Sequence, residues 1–212
     1  MNWVLNILSF TWWLAKHIKK WFAGDDKERR AICIKWLNII YFSISLTLFV
    51  SILIWNWTSN IDLSIELKNI ILIFLVLYLF SRGNEIFIAF INDALDKVEK
   101  KDSTSNLTYK DRLILAFRSY IELIIDFGII YYILPLDWWK EKLAPSNIIE
   151  SIYFSGVTIT TLGYGDISPK YWLPQLLTVY QVLCGFVLIV VCFAVYLTNN
   201  ETQTNKQINR TP

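Results

Sequence analysis

Two long runs without a charged residue constrain this chain more than anything else in it. Residues 36–57 are uncharged for 22 positions and residues 171–200 for 30. At 1.5 Å per residue the first covers about 33 Å as a helix, enough for a hydrocarbon core of about 30 Å. The second is longer than one crossing needs. Two further segments are apolar but interrupted. Residues 63–81 carry Glu66 and Lys68 near one end and are followed by Arg82, and residues 113–134 carry Arg118, Glu122 and Asp126. The pattern predicts an all-α membrane protein with four transmembrane helices.

Composition agrees and removes other classes. Hydrophobic residues make up 55% and charged residues 18%, against about 25% charged in an ordinary soluble domain. A net charge of +2 gives no footprint for a nucleic-acid partner. Cys33, Cys184 and Cys192 cannot all pair, and two of them share one apolar run, which argues against a disulfide framework. His17 is the only histidine, and the zincin, phosphate-loop, nucleophile-elbow and C-x-x-C patterns are missing. No enzyme chemistry and no cofactor are expected.

Residues 1–15 are uncharged but reach only about 22 Å as a helix, short for a span. With no basic residue ahead of them they do not read as a signal peptide. Trp3, Ile7, Phe10, Leu14, Ile18 and Trp21 recur at helical spacing, with Ser9, Lys16, Lys19 and Lys20 off that stripe. This suits an amphipathic helix in the membrane interface; an additional span is the alternative. If 36–57 runs outward, fifteen of the twenty basic residues fall inside, Arg82 among them, and Lys68, Lys140, Lys142 and Lys170 fall outside. That bias puts both termini in the cytoplasm of a plasma (inner) membrane protein. The chain divides into an interfacial helix and linker (1–35), two additional transmembrane helices (36–91), a charged cytoplasmic loop (92–111), a pore-like module (112–197) and a short polar tail (198–212) expected to be unstructured.

Between the last two spans stand Ser146 to Asp166. Pro145 precedes a helix that Asn147 can cap, with Glu150 in capping-box position. Residues 148–158 reach about 16 Å, half a bilayer. Then comes Thr-Leu-Gly-Tyr-Gly, Thr161 to Gly165. A half-span helix and a glycine-punctuated strand held between two full spans resemble the re-entrant pore loop of potassium channels. The strand matches that family's T-V-G-Y-G at four of five positions, and Thr160 and Asp166 extend the match. The resemblance, to the bacterial-type two-helix-plus-pore-loop module with two extra N-terminal helices, covers residues 112–197.

The resemblance implies that backbone carbonyls of Thr161, Leu162, Gly163 and Tyr164, with the Thr161 hydroxyl, replace the water around K+ ions. Gly163 and Gly165 supply positions where positive φ costs little. Tyr164 braces the strand against its pore helix, whose C-terminus favours a cation in the central cavity. One pore loop per chain implies a homotetramer in the lipid bilayer. Two departures stand out: Leu162 replaces valine, and Tyr153 and Phe154 stand where many members carry two tryptophans. Tyr153 can still donate a hydrogen bond to Asp166. Val157 occupies the position where some bacterial members place a carboxylate, so a carboxyl pair behind the filter is excluded.

Gating is less legible. Neither of the first two spans carries the repeated basic residues of a voltage sensor. Gly185 reads equally as a gating hinge and as a packing glycine. Arg118, Glu122 and Asp126 share one helix face. Arg118 can pair with Glu122, which leaves Asp126 either structurally paired elsewhere or acting as a gating or proton-sensing group. The function expected is passive, K+-selective conduction. A non-selective cation channel and a non-conducting regulatory subunit are the alternatives.

Overall fold

The structure, a computed structural model, describes residues 9–58, 65–99, 101 and 104–208, with backbone only at 55–58, 65–68, 97–98 and 191–208. Six α-helices form its described part: α1 Phe10–Ala23, α2 Lys27–Thr58, α3 Ile65–Val98, α4 Tyr109–Ile133, α5 Ile148–Ile159 and α6 Trp172–Ile208. Trp3 and Ile7 of the expected N-terminal stripe lie outside the described residues.

Local chemistry sets the helix ends. Ser9 caps α1 by accepting from the Trp12 N–H at 3.2 Å. At the other end Gly24, at φ 50°, donates to the Lys20 carbonyl at 3.1 Å, the left-handed exit glycine allows. Asp26 Oδ1 accepts from the Glu28 and Arg29 amides and starts α2. Thr108 and Asp111 close a reciprocal capping box at the start of α4. Lys35 Nζ lies 2.7 Å from Asp111, and these bonds hold the Asp111 carboxyl down at about 2.

Among the described residues, three helices are long and apolar enough to cross a membrane: Lys27–Ile54, Asn69–Asp96 and Trp172–Val190. The fourth expected span, α4, is 25 residues long; its three charges at 118, 122 and 126 interrupt the apolar run. Two boundaries differ from the sequence reading. The expected span 63–81 does not stop before Arg82. Its helix continues to Val98, and Arg82 within it is buried against acidic partners. The polar tail is not irregular at its start, since α6 runs on to Ile208.

α4 is the hub of the fold, packing against α5 and α6 on one side and α2 and α3 on the other. α1 docks on α2 and α3 through its small face. Ser9 Oγ and Thr11 Oγ1 donate to the Ser81 carbonyl at 3.0 and 2.9 Å, and Ala15 is buried below them. Of the apolar stripe, Phe10 and Trp21 point outward, 61% and 85% exposed, and are free to meet lipid, while Leu14 and Ile18 are half-buried. Cys33 and Cys184 are buried free thiols. Outside the helices, 135–147 is stitched to the segment after Gly165 by an antiparallel bridge between Trp139 and Pro169, with Lys140 N–H on the Ser168 carbonyl at 3.0 Å. This seam holds both ends of the loop carrying α5.

Candidate ion-conduction site

The half-span helix α5 starts where the sequence puts it. Asn147 Oδ1 accepts from the Glu150 amide at 3.0 Å. The Glu150 carboxylate turns back to the Ser146 amide at 2.7 Å, which holds its pKa below the usual carboxylate range. Twelve residues later the helix ends, and its last turn organises the strand. The Thr161 amide bonds the Thr158 carbonyl at 2.9 Å. The Leu162 and Gly163 amides share the Val157 carbonyl at 3.0 and 3.2 Å. The amides of Thr161, Leu162 and Gly163 are therefore spent on the helix end. Among the described residues, the carbonyls of Thr160 to Gly165 accept no backbone hydrogen bond.

Backbone hand alternates along this strand. φ is +60° at Thr161, +52° at Gly163 and +79° at Gly165. Glycine takes these values freely; for threonine the left-handed region costs about 1–2 kcal/mol. Sequence reasoning assigned positive φ to the two glycines and missed Thr161, although its place two residues before Gly163 continues the alternation. Such a strain persists where surrounding bonds fix it, here the Thr161–Thr158 bond. The outcome is a row of free carbonyls from residues that are all exposed in the single chain. Leu162 and Tyr164 are exposed as well, Tyr164 by 66%. Tyr164 lines a groove of about 260 Å³ with Phe154, Val157, Thr161 and Val182, between filter, pore helix and α6.

Behind the strand, Tyr153 donates to Asp166 Oδ2 at 2.7 Å, the bond the sequence suggests. Phe154 does not reach the strand's acid. It packs edge-on to Tyr131 and Trp139, at 4.9 and 5.3 Å between ring centres.

Three supporting residues escaped sequence reasoning. Gln181 of α6 donates to Ser155 Oγ and to the Ser155 carbonyl at 2.6 and 3.0 Å and accepts from the Tyr131 hydroxyl at 3.0 Å. Ser155 in turn donates to the Ile124 carbonyl at 2.8 Å. A polar residue inside an uncharged run was the available signal for Gln181. Gly128 of α4 is the third: a Cβ there would sit 2.4 Å from Ile152 Cδ1 and 2.9 Å from Ile152 Cα. Gly185 has the same kind of contact, since a Cβ would lie 2.6 Å from Ile159 Cγ1. It lets α6 approach the end of the pore helix, which favours the packing reading.

The charged face of α4 is paired differently from expectation. Glu122, 0% exposed, is bound by Arg82 through Nε at 2.6 Å and Nη2 at 3.2 Å. Arg82 Nη1 also reaches Glu85 at 3.0 Å, and its guanidinium lies 4.2 Å over the Tyr41 ring. Arg118 does not pair with Glu122; it donates to Asn38 Oδ1 at 3.1 Å. Asp126 is also 0% exposed. It faces Ser45, but neither of its oxygens makes a hydrogen bond of normal geometry, and the buried hydroxyls of Ser45 and Tyr78 also lack partners.

Residues 119–201 match the ion channel family model. Over 98 residues, 46% of this chain and 22% of the relative, the sequence is 31% identical to two-pore potassium channel 3 of Arabidopsis thaliana. It is 36% identical over 72 residues to potassium channel subfamily T member 1 of Gallus gallus, and 42% over 66 residues to the protein of that name in Homo sapiens. These alignments cover 33% and 30% of this chain and 6% and 5% of the relatives. The chain thus spans less than a quarter of the length of these relatives. No solved structure matches it. With the three apolar helices found among the described residues, these likenesses support an integral membrane protein whose residues 119–201 are similar to ion channels rather than to enzymes.

Proposed function

We propose that this chain forms a K+-selective channel in which four copies close one filter from residues Thr161 to Gly165. The observation that carries this reading is the alternating backbone of 161–165, whose free carbonyls stand exposed at the end of a half-span helix. One strand supplies one side of an ion cage; rings of carbonyls need several. A second feature argues for self-association. Leu176, Val179, Leu183, Phe186 and Val190 of α6 form an exposed apolar stripe at helical spacing, which suits packing on neighbouring copies around a central pore.

In this reading α4 is the outer helix, α6 the inner helix and α2–α3 a flank without a voltage sensor. Basic residues then lie mostly in the cytoplasm with both termini, and the protein sits in a plasma membrane. Leu162 keeps the backbone carbonyl of the usual valine but changes the packing behind it, so it bears on filter stability more than on selectivity.

Reconstitution tests this. Liposomes holding only the purified protein should pass K+ down its gradient, stop on addition of barium, and pass little Na+. Gly165→Ala, which forces a Cβ into φ +79°, should remove the flux while leaving the oligomer intact. Equal K+ and Na+ fluxes would favour a non-selective pore. A stable tetramer without flux under any condition would favour a non-conducting subunit.

A further inference from the structure

We propose that Asp126 is a proton-binding site, reached from the cytoplasmic side, whose occupancy sets conduction; this rests on the channel reading above. A carboxylate sealed among helices without a counter-ion is costly, and the inexpensive form is the neutral acid. Asp126 fits that description: its oxygens are inaccessible and face only the Ser45 hydroxyl, without a hydrogen bond of normal geometry, and Arg82, the cation on its face, is already held by Glu122 and Glu85.

Access is the second observation. A cavity of about 860 Å³ lies between α1, α2, α3 and α4. Asp93, Asp96 and Arg112 line one part of it; Asn38, Arg82 and Glu85 line another. By the charge bias, the Asp93 and Arg112 end opens to the cytoplasm. Glu122 contacts Arg82 on the cavity wall. Asp126 follows Glu122 by four residues, about 6 Å along α4. A proton from cytoplasmic water can therefore approach through the cavity and the acidic pair, bind an Asp126 oxygen, and leave by the same route. The charged and titratable groups facing this region are Tyr41 on α2, Tyr78, Arg82 and Glu85 on α3, and Arg118 and Glu122 on α4 itself. Lys19 of α1 stands behind Glu85 in the cavity wall.

Position couples the site to the filter. Asp126 points toward α2 and α3, while its neighbours on the same helix grip the pore helix. The Ile124 carbonyl takes the Ser155 hydroxyl, and Gly128 lies against Ile152. An ionised Asp126 requires water or a counter-charge, which the packed α2–α3–α4 contact does not supply. Its ionisation loosens that contact and shifts the segment that holds α5.

The test uses the full chain in oriented bilayers, with pH varied on one side at a time. Conduction should change with pH on the cavity side and not on the opposite side. Asp126→Asn, which keeps the neutral shape, should fix conduction at the acid-side value. Ser45→Ala should keep the response and shift its midpoint. Infrared difference spectra of the purified protein should show a carboxylic-acid band that titrates and is absent in Asp126→Asn. A pH response that survives in Asp126→Asn, or an Asp126 band that does not titrate, would overturn the proposal. A titrating band without K+ flux in any variant would instead defeat the channel reading and leave the proton site standing.

Discussion

The two sides of α4 solve the same problem in opposite ways. Toward α5 and α6 the buried polar groups are neutral and linked. Tyr131, Gln181, Ser155 and the Ile124 carbonyl form one chain of hydrogen bonds, with Trp139 Nε1 as the buried atom left out. Toward α2 and α3 lies an ion cluster in which one cation serves two carboxylates, and Asp126, Glu85 Oε2 and the Ser45 and Tyr78 hydroxyls lack hydrogen bonds of normal geometry. A satisfied neutral network specifies one geometry, which suits a filter whose carbonyls must not move. A buried ion cluster is costly to assemble and sensitive to the loss of one member. Under the proposed function, the difference puts rigidity on the side of residues 161–165 and responsiveness on the α2–α3 flank.

Arg82→Met should have the largest effect on stability, because it leaves Glu122 and Glu85 buried without their cation. The loss expected is about 3–5 kcal/mol, read as a fall in the unfolding midpoint in detergent. Combining it with Glu122→Gln should recover part of that loss. Gln181→Leu should cost about 1–3 kcal/mol by stranding the Tyr131 hydroxyl and removing the amide from which Ser155 accepts. It should impair the filter without altering any response to cytoplasmic pH; an altered pH response would break the division between the two sides. Gly128→Ala overpacks Ile152 and should cost about 1–3 kcal/mol, with the pore helix displaced. Tyr153→Phe removes one partly exposed hydrogen bond, about 1 kcal/mol, and should appear as altered inactivation in current recordings rather than as unfolding. The smallest effect concerns Asp111, whose carboxyl is held at about 2 by Lys35 and Thr108. Its contribution is present above its ordinary value of 3.8 and lost as pH falls through about 2. Asp111→Asn should remove that acid transition from a pH titration of helicity.

What the sequence made legible follows from distance along the chain. The pore helix, its Asn147 cap and the Tyr153–Asp166 bond involve residues at most 13 apart, so spacing and residue type sufficed. Arg82 and Glu122 are 40 apart, and Gln181 and Ser155 are 26 apart. Helix packing chooses those pairs. Arg118, one turn from Glu122, was the local candidate and lost to a residue on another helix. The same cause hid Arg82, read as the end of a span although it sits inside one long helix. In α1 the large side chains drew attention, but the docking face is Ser9, Thr11 and Ala15, small enough for close approach to Ser81. Gly128 gave no local cue because its role depends on Ile152 across the α4–α5 contact.

The central claim is that residues 161–165 select K+ by their carbonyls, and the most direct measurement is the reversal potential of a planar bilayer containing only this protein. With K+ on one side and Na+ on the other, the account predicts a reversal potential displaced strongly toward the K+ equilibrium value and a current blocked by barium. A reversal potential near zero under the same conditions would contradict it.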